Sequence, residues 1–566
     1  MKNVKRMIMP MVFVLALFPC ATTGGEGLDG AAELSPDAEA YFYRGNAYYA
    51  KGNYDQAIAD YSEAIRLDPD NAEAYYNRGT AYVVKGDYDR AIADFTQAIW
   101  LDPENAVTAP TTYYNRGTAY VVKKDYDRAI ADFTQAIRLD PNLAAAYTNR
   151  GNAYSDKRDY DRAVADYSET IRIDPNPVMA YNGRGAAYSR KGDDDRAIAD
   201  YSEAIRLDPD FAAAYYNRGG VYAFKGDDDQ AIADYDEAIR LNPEYAAAYN
   251  GRGRAYRHKG DDDRAIADYS EAIRLGLDNA MVYYNRGIAY AAKDDYDRAI
   301  ADFTQSIRLD PNNTAAYNGR GSVYGIKEDY DRAIADYDEV IRLLPDNATV
   351  YHNRGLAYAG KDDYARAIAD YSEAIRLDPE YVEAYYNRGL MYAAQGDYDR
   401  SIADFTQAIR LNPEYARAYS NRGAGYGSKG DYDRAIADYS EAIRLDPDFA
   451  VMYYDRGTAY YYQGDYDRAI ADYDEAIRID PNRADAYIVR GNAYGSKGDY
   501  DRAIADYSEA IRLDPHNAGV YYNRGIVYTR KDDYRSARAD WEQALRIDPG
   551  SANARRNLEI LEQMGY

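Results

Sequence analysis

The sequence predicts an all-α solenoid of about fifteen 34-residue helix-turn-helix repeats with a C-terminal capping helix, and three observations carry that prediction. An Arg-Gly pair recurs with glycines at 45, 79, 117, 151, 185, 219, 253, 287, 321, 355, 389, 423, 457, 491 and 525, every interval being 34 residues except one. Apolar residues on both sides of a short turn recur at spacings of three and four, so each unit presents two successive helical faces. A fixed period between 20 and 50 residues marks an array whose units bury their apolar faces only against their neighbours.

The unit Ala72 to Asn105 shows how each element arises. Tyr75, Gly79 and Tyr82 form one helical face, and Ala91, Phe95 and Ala98 form the next. Gly86 suits the left-handed position that ends a helix, and Asp87 can cap the amides opening the second one. Pro103 closes the unit because proline cannot continue a helix. The small residues Gly79 and Ala91 let the two backbones approach, while Tyr75, Tyr82, Tyr88 and Phe95 fill around them.

These residues, with Tyr75 in place of the usual Trp and Pro103 at the end, resemble the tetratricopeptide repeat over residues 38–551. The resemblance implies helix pairs stacked into a right-handed superhelix whose first helices line a concave, peptide-binding groove. One position departs from the family throughout. Where Leu is common before the glycine, all fifteen units carry Arg, from Arg44 and Arg78 to Arg524, and all carry Asp in the second helix, from Asp60 and Asp94 to Asp540. An arginine at a packed helix interface needs a hydrogen-bonded counter-charge, so we expect the two to pair rather than stand as solvated surface charges.

Residues 1–23 lie outside the array. Lys2, Lys5 and Arg6 precede an apolar run from Met7 to Phe18, the order of an export signal and too short to span a bilayer comfortably. Leu17 and Cys20 match a bacterial lipoprotein box, whereas Phe18 and Pro19 stand where small residues are usual. Two readings follow: a lipidated Cys20 with membrane attachment, or an ordinary signal cut shortly afterwards. Either predicts an exported protein of a bacterial envelope, periplasmic or membrane-anchored, with a linker over 24–37.

A net charge of -26 argues against a general affinity for nucleic acid or anionic lipid. One cysteine and three histidines supply no disulfide within the chain, no cysteine zinc site and no thiol catalysis, no cofactor or metal is implied, and nothing outside the repeats is long enough for a catalytic domain. The expectation is a noncatalytic scaffold or adaptor for proteins or extended peptide segments. A structural or assembly factor using the outer solenoid surface is the alternative.

Candidate contacts are read from the groove positions. The residue two before the glycine is Asn77, Asn115, Asn149, Asn217, Asn285, Asn353, Asn387, Asn421 and Asn523, amides able to donate to and accept from a peptide backbone. Beside them stand Tyr76, Tyr114, Tyr216, Tyr284, Tyr386 and Tyr522, amphipathic residues favoured at interfaces. Duplication of residues that merely fit the helix explains the same pattern. The lysine that opens the family's carboxylate clamp is missing at every unit, so that activity is not implied. Arg190, Arg254, Arg257 and His258 are candidates for an anionic group, with charge balance against nearby Asp as the other reading. Tyr454, Tyr461 and Tyr462 concentrate aromatic surface in one unit.

Three irregularities remain. Four extra residues fall between Asn105 and Thr112, around Pro110, where a local perturbation of stacking is expected. Three successive second helices open with Asp triplets at 193–195, 227–229 and 261–263, so that Asp194, Asp228 and Asp262 replace the packing tyrosine, and the last of these units ends in Gly276-Leu277 without its proline. These predict a softer segment, and the triplets read as helix caps rather than calcium loops. At the far end Leu558 and Leu561 mark a capping helix over 552–566.

Overall fold

The computed structural model describes residues 37–105 and 108–566, so the expected signal, Cys20 and the linker up to residue 36 lie outside the described residues. Among the described residues there are 31 helices, from Ala38–Ala50 to Ala552–Gln563, and no strand. Thirty of them form fifteen hairpins at the predicted period, grouped into an N-terminal block up to Asp302 and a C-terminal block from Phe303.

Repeat 2 illustrates the hairpin. Its helices span Ala72–Val84 and Tyr88–Leu101. Asn71 accepts from the Ala74 amide at 2.9 Å and Asp87 from the Arg90 amide at 3.2 Å, so both helices start on a side-chain cap. Between the helices Gly86 adopts φ 76°. The interface is closest at Gly79, where an added Cβ would lie 2.9 Å from Phe95 Cε1. Only glycine fits there, and Ala91 and Phe95 are fully buried as a result. In six repeats the left-handed turn residue is not glycine but Lys124, Arg158, Asp294, Glu328, Asp362 or Asp532, each at φ between 58° and 65°.

All fifteen Arg–Asp pairs form. In repeat 2, Arg78 Nε and Nη2 donate to the two Asp94 carboxylate oxygens at 2.7 and 2.8 Å, a bidentate fork, and the guanidinium lies 5.6 Å from the Tyr75 ring centre. From repeat 2 onward a third arm, Nη1, donates to a Ser, Thr or Asp on the second helix of the preceding repeat, as Arg78 does to Ser62 at 3.0 Å. Each arginine thus ties its own hairpin shut and locks it to its neighbour. The acceptor stands two residues after the paired Asp in every repeat. In the last repeat, with no arginine to follow, it is Glu542, which pairs with Arg538 at 2.9 Å instead.

A second, exposed tie recurs near the turns, where a lysine at the end of one first helix pairs with an aspartate opening the preceding second helix, as Lys85 does with Asp55. Where that aspartate is replaced by Ala365, the following repeat carries Gln395 in place of the lysine. Exposed pairs of this kind contribute little, about 0–1 kcal/mol each.

The irregular units keep the same junctions. After the four-residue insert, of which 106–107 are outside the described residues, the next helix runs Ala109–Val122 with Pro110 in its first turn. Arg116 still reaches Thr96 at 3.1 Å and Lys123 still pairs with Asp89, so the insert lengthens the connection and leaves the junction intact. In the triplets the first aspartate caps the helix and the third pairs with the next lysine, as Asp227 does with the Gln230 amide and Asp229 with Lys259. Without its proline the third of these helices, Asp262–Arg274, stops one residue early, and Gly276 turns the chain at φ 94°. At the end, Ala552–Gln563 covers Trp541 with Ala554, Leu558 and Leu561.

Candidate functional site

Adjacent first helices present a face on which the two residues preceding Arg-Gly are set side by side. The asparagines there are not open amides. Asn115 donates to Tyr76 Oη at 3.3 Å, Asn149 to Tyr114 Oη at 3.0 Å and Asn421 to Tyr386 Oη at 3.0 Å, always one repeat back. Asn217 and Asn353 donate likewise to Asn182 and Asn318, at 2.9 and 3.3 Å, and Asn387 meets His352 Nε2 at 2.9 Å. Where the acceptor position is apolar, Phe42 or Ile488, the amide turns to the residue after the glycine instead. Asn77 then bonds Asn46 at 3.0 Å and Asn523 bonds Asn492 at 3.5 Å. The result is a side-chain ladder that uses up the donors expected to serve a peptide backbone, and Asn115 and Asn149 are buried within it.

The neighbouring tyrosines are likewise half committed to packing. Tyr76, Tyr114, Tyr216 and Tyr386 lie 5.7–6.0 Å from the core aromatic of their own second helix, and Tyr114 is buried outright. Tyr284 and Tyr522 are half-buried at the same position. His352 occupies it in repeat 10, where burial pushes its imidazole pKa down and keeps the ring neutral, an acceptor for Asn387.

The ladder breaks between repeats 7 and 8. Among the described residues Asn285 makes no side-chain hydrogen bond, and Asn250 Oδ1, which it would meet, is buried without a partner. Here Arg254 and Arg257 stand on the first helix of repeat 7 without an ion pair. Their charges act on the phenol of Tyr269, a fully buried residue whose hydroxyl has no partner. Arg254 also faces Tyr216, and Arg257 faces Tyr284. The four basic candidates do not gather into one patch. His258 sits at the helix end, 3.4 Å from Asp228 of the preceding repeat, and exposed Arg190 lies beside Tyr201 in repeat 5. The physical reason is register: the last residues of a first helix face the start of the preceding second helix, not the ladder.

Repeat 13 is the other departure. Tyr454 packs 6.1 Å from Tyr473, Tyr461 lies 5.4 Å from Tyr466, and Tyr462, 64% exposed, stacks on Tyr432 at 5.6 Å. Between Tyr454 and Arg456, where nine repeats carry the ladder asparagine, stands Asp455. Reading for groups of tyrosines overlooked it, although the asparagine pattern marks it as an exception.

Family models described as TPR repeat or tetratricopeptide repeat match residues 45–86, 72–105, 110–143, 144–177, 190–226, 212–245, 234–267, 253–294, 280–313, 326–362, 352–416, 416–449, 457–498, 491–532 and 518–551. The chain belongs to the tetratricopeptide repeat family. Tetratricopeptide repeats are protein-interaction scaffolds, generally noncatalytic, and this chain is built as one. No curated protein matches it.

The chain is similar to several solved structures. The APC/C hetero-tetramer Cut9-Hcn1 is 17% identical over 86% of this chain and 96% of its own, with a TM-score of 0.34. YrrB, described as a TPR protein with an unusual peptide-binding site, is 25% identical over 32% of this chain and 95% of its own, TM-score 0.31. MamA from Desulfovibrio magneticus RS-1 is 26% identical over 30% of this chain and 96% of its own, TM-score 0.29.

Proposed function

We propose that this protein is a noncatalytic adaptor that binds extended protein segments along the face of its first helices, in a bacterial envelope. The observation that carries the reading is the break in the asparagine ladder at repeats 7 and 8. Two arginines without ion pairs, a buried phenol without a partner and a ladder amide without a bond fall on the same pair of neighbouring repeats. Groups left unsatisfied by the fold favour a partner that completes them, and donors on this scale suit a carboxylate. Recognition is therefore placed in the departures from the repeat, with the regular ladder as their frame.

The reading is tested by crosslinking with mass spectrometry in the native envelope, comparing wild type with an Arg254→Glu, Arg257→Glu variant and a Tyr454→Ala, Tyr462→Ala variant. Loss of partner peptides from the first helices is expected, and an unchanged partner set in both variants would remove the reading. One observation favours a second surface. Trp100 is 73% exposed near the end of a second helix, where most repeats carry arginine, so an assembly role through the second-helix side predicts crosslinks there that survive both variants.

The envelope location rests on Lys2, Lys5, Arg6, the apolar run to Phe18 and Cys20, with lipidation or simple signal cleavage as the two outcomes. Incorporation of labelled palmitate that disappears in Cys20→Ser selects lipidation, and export without label selects cleavage. A wild-type chain retained in the cytoplasm would refute both.

A further inference from the structure

Asp455 is a carboxylate in a position built for an amide. It cannot donate the ladder hydrogen bond, and the residue one repeat back in this register is Ser420. Among the described residues Asp455 makes no hydrogen bond and no ion pair. Burial drives its carboxyl pKa up to about 6, with Arg483 opposing the rise and Asp485 adding to it. Arg483 is not its partner, because the guanidinium is spent on Asp485, at 2.9 and 3.2 Å, while lying 4.5 Å from the centre of the Tyr454 ring. Two carboxylates thus share one cation. Burial first, and then nearby charge including that of Asp455, raises the phenol pKa values of its chain neighbour Tyr454 and of Tyr439, the core ring of the preceding second helix. In the next repeat the ladder positions are Ile488 and Val489, which offer it no polar group.

We propose that Asp455, at the ladder position beside Tyr454, receives a cationic side chain, a lysine ammonium or arginine guanidinium, from a bound protein segment. A partly buried carboxylate without a counter-charge is costly, and packing does not impose it, since nine repeats fill the position with asparagine. A cation supplies the missing charge. An anionic or apolar group would leave the carboxylate as it stands. This inference rests on the proposed binding of segments along the first helices and names the chemistry that one repeat selects.

The test uses the full chain and a fluorescein-labelled alternating Gly-Lys decapeptide, read by fluorescence anisotropy at pH 7.5. Asp455→Asn, which installs the ladder residue and preserves the fold, is expected to weaken binding at least tenfold. Asp448→Asn, at an exposed site, controls for general attraction to an acidic protein and should bind as wild type. Replacing lysine by Nε-acetyl-lysine in the peptide should abolish binding. Lowering the pH to 5 should weaken wild type and leave Asp455→Asn unchanged, Arg483, Asp485, Tyr439 and Tyr454 being the other ionisable groups around the site. Equal affinity of Asp455→Asn and wild type, or an equal loss in Asp448→Asn, would overturn the proposal. So would n-butylammonium alone binding as tightly as the peptide, which would assign the site to free amines. If crosslinking still places partner segments on the first helices while these results fail, only the cation site falls and the adaptor reading stands.

Discussion

The same three-armed arginine ties each first helix to the second helices beside it at every junction, whereas between neighbouring first helices the asparagine contact changes partner from repeat to repeat and is missing at several positions. The arginine lock is bidentate in all fifteen repeats, and from the second repeat its third arm donates to Ser, Thr or Asp alike. The ladder accepts Tyr, Asn or His, skips to a different acceptor beside Phe42 and Ile488, has no side-chain amide at Gly183, Gly251 or Val489, and leaves polar side chains unbonded at Asn285 and Asp455. What is copied without exception is what stacking needs. What varies lies on the first-helix face, the one proposed to meet a partner, and at Asn285 and Asp455 it leaves polar groups unbonded.

The largest expected effect comes from breaking the copied side. Arg286→Leu leaves Asp302 buried at 5% exposure without its fork, at a cost of about 3–5 kcal/mol in urea melts, while Leu at both positions recovers most of it. Additive losses in the double variant would show that the pair is not a unit. Packing is broken next at Gly321, where a Cβ would sit 2.9 Å from Tyr337 Cε1, so Gly321→Ala should cost about 1–3 kcal/mol. One turn later Gly325 has nothing within 4 Å, and Gly325→Ala should stabilise the same helix by about 0.5–1 kcal/mol. Equal signs for the two would contradict the close-approach account.

On the variable side the expected changes are gains. Burial pushes the folded carboxyl of Asp455 up to about 6, above its ordinary 3.8, so the native state holds the proton more tightly between these values. Stability contributed by that proton is lost as pH rises from 3.8 through 6, and a penalty persists above it. Asp455→Asn should therefore stabilise the chain by about 1–3 kcal/mol at pH 7.5 and by much less near pH 3.5, checked by thermal melting at the two pH values. The smallest test compares two core phenols. Tyr167 donates to Asn152 at 2.6 Å, so Tyr167→Phe should cost about 1 kcal/mol, whereas the Tyr371 hydroxyl has no partner and Tyr371→Phe should be neutral or slightly stabilising.

The repeat itself was legible because its determinants are local. The period, Asp87 as a cap, Gly86 in the left-handed turn and Gly79 against Phe95 act within one hairpin and recur often enough to be read without coordinates. The Arg–Asp pair was legible for the same reason, since both residues belong to one unit. The third arm was not, although Ser62, Thr96 and their equivalents repeat at a fixed offset, because it depends on how one second helix lies against the next. The asparagines looked like open amides because their acceptors are a full repeat away. His258 was grouped with Arg254 by helical spacing, but Asp228 of the preceding repeat draws it to the other edge of the helix. Six left-handed turns without glycine, such as Asp294 at φ 58°, show that local preference yields when the flanking helices fix the turn.

The central claim is that copied residues hold the array while the departures recognise a partner, and one variant tests both halves at once. Arg254→Thr, Arg257→Val and Asp455→Asn together install the residues that repeat 2 carries at the same positions, Thr80, Val83 and Asn77. Its melting temperature and its crosslinked partners in the native envelope are then compared with those of wild type. An equal or higher melting temperature with loss of the partner segments is the predicted result. A destabilised array, or an unchanged set of partners, would contradict it.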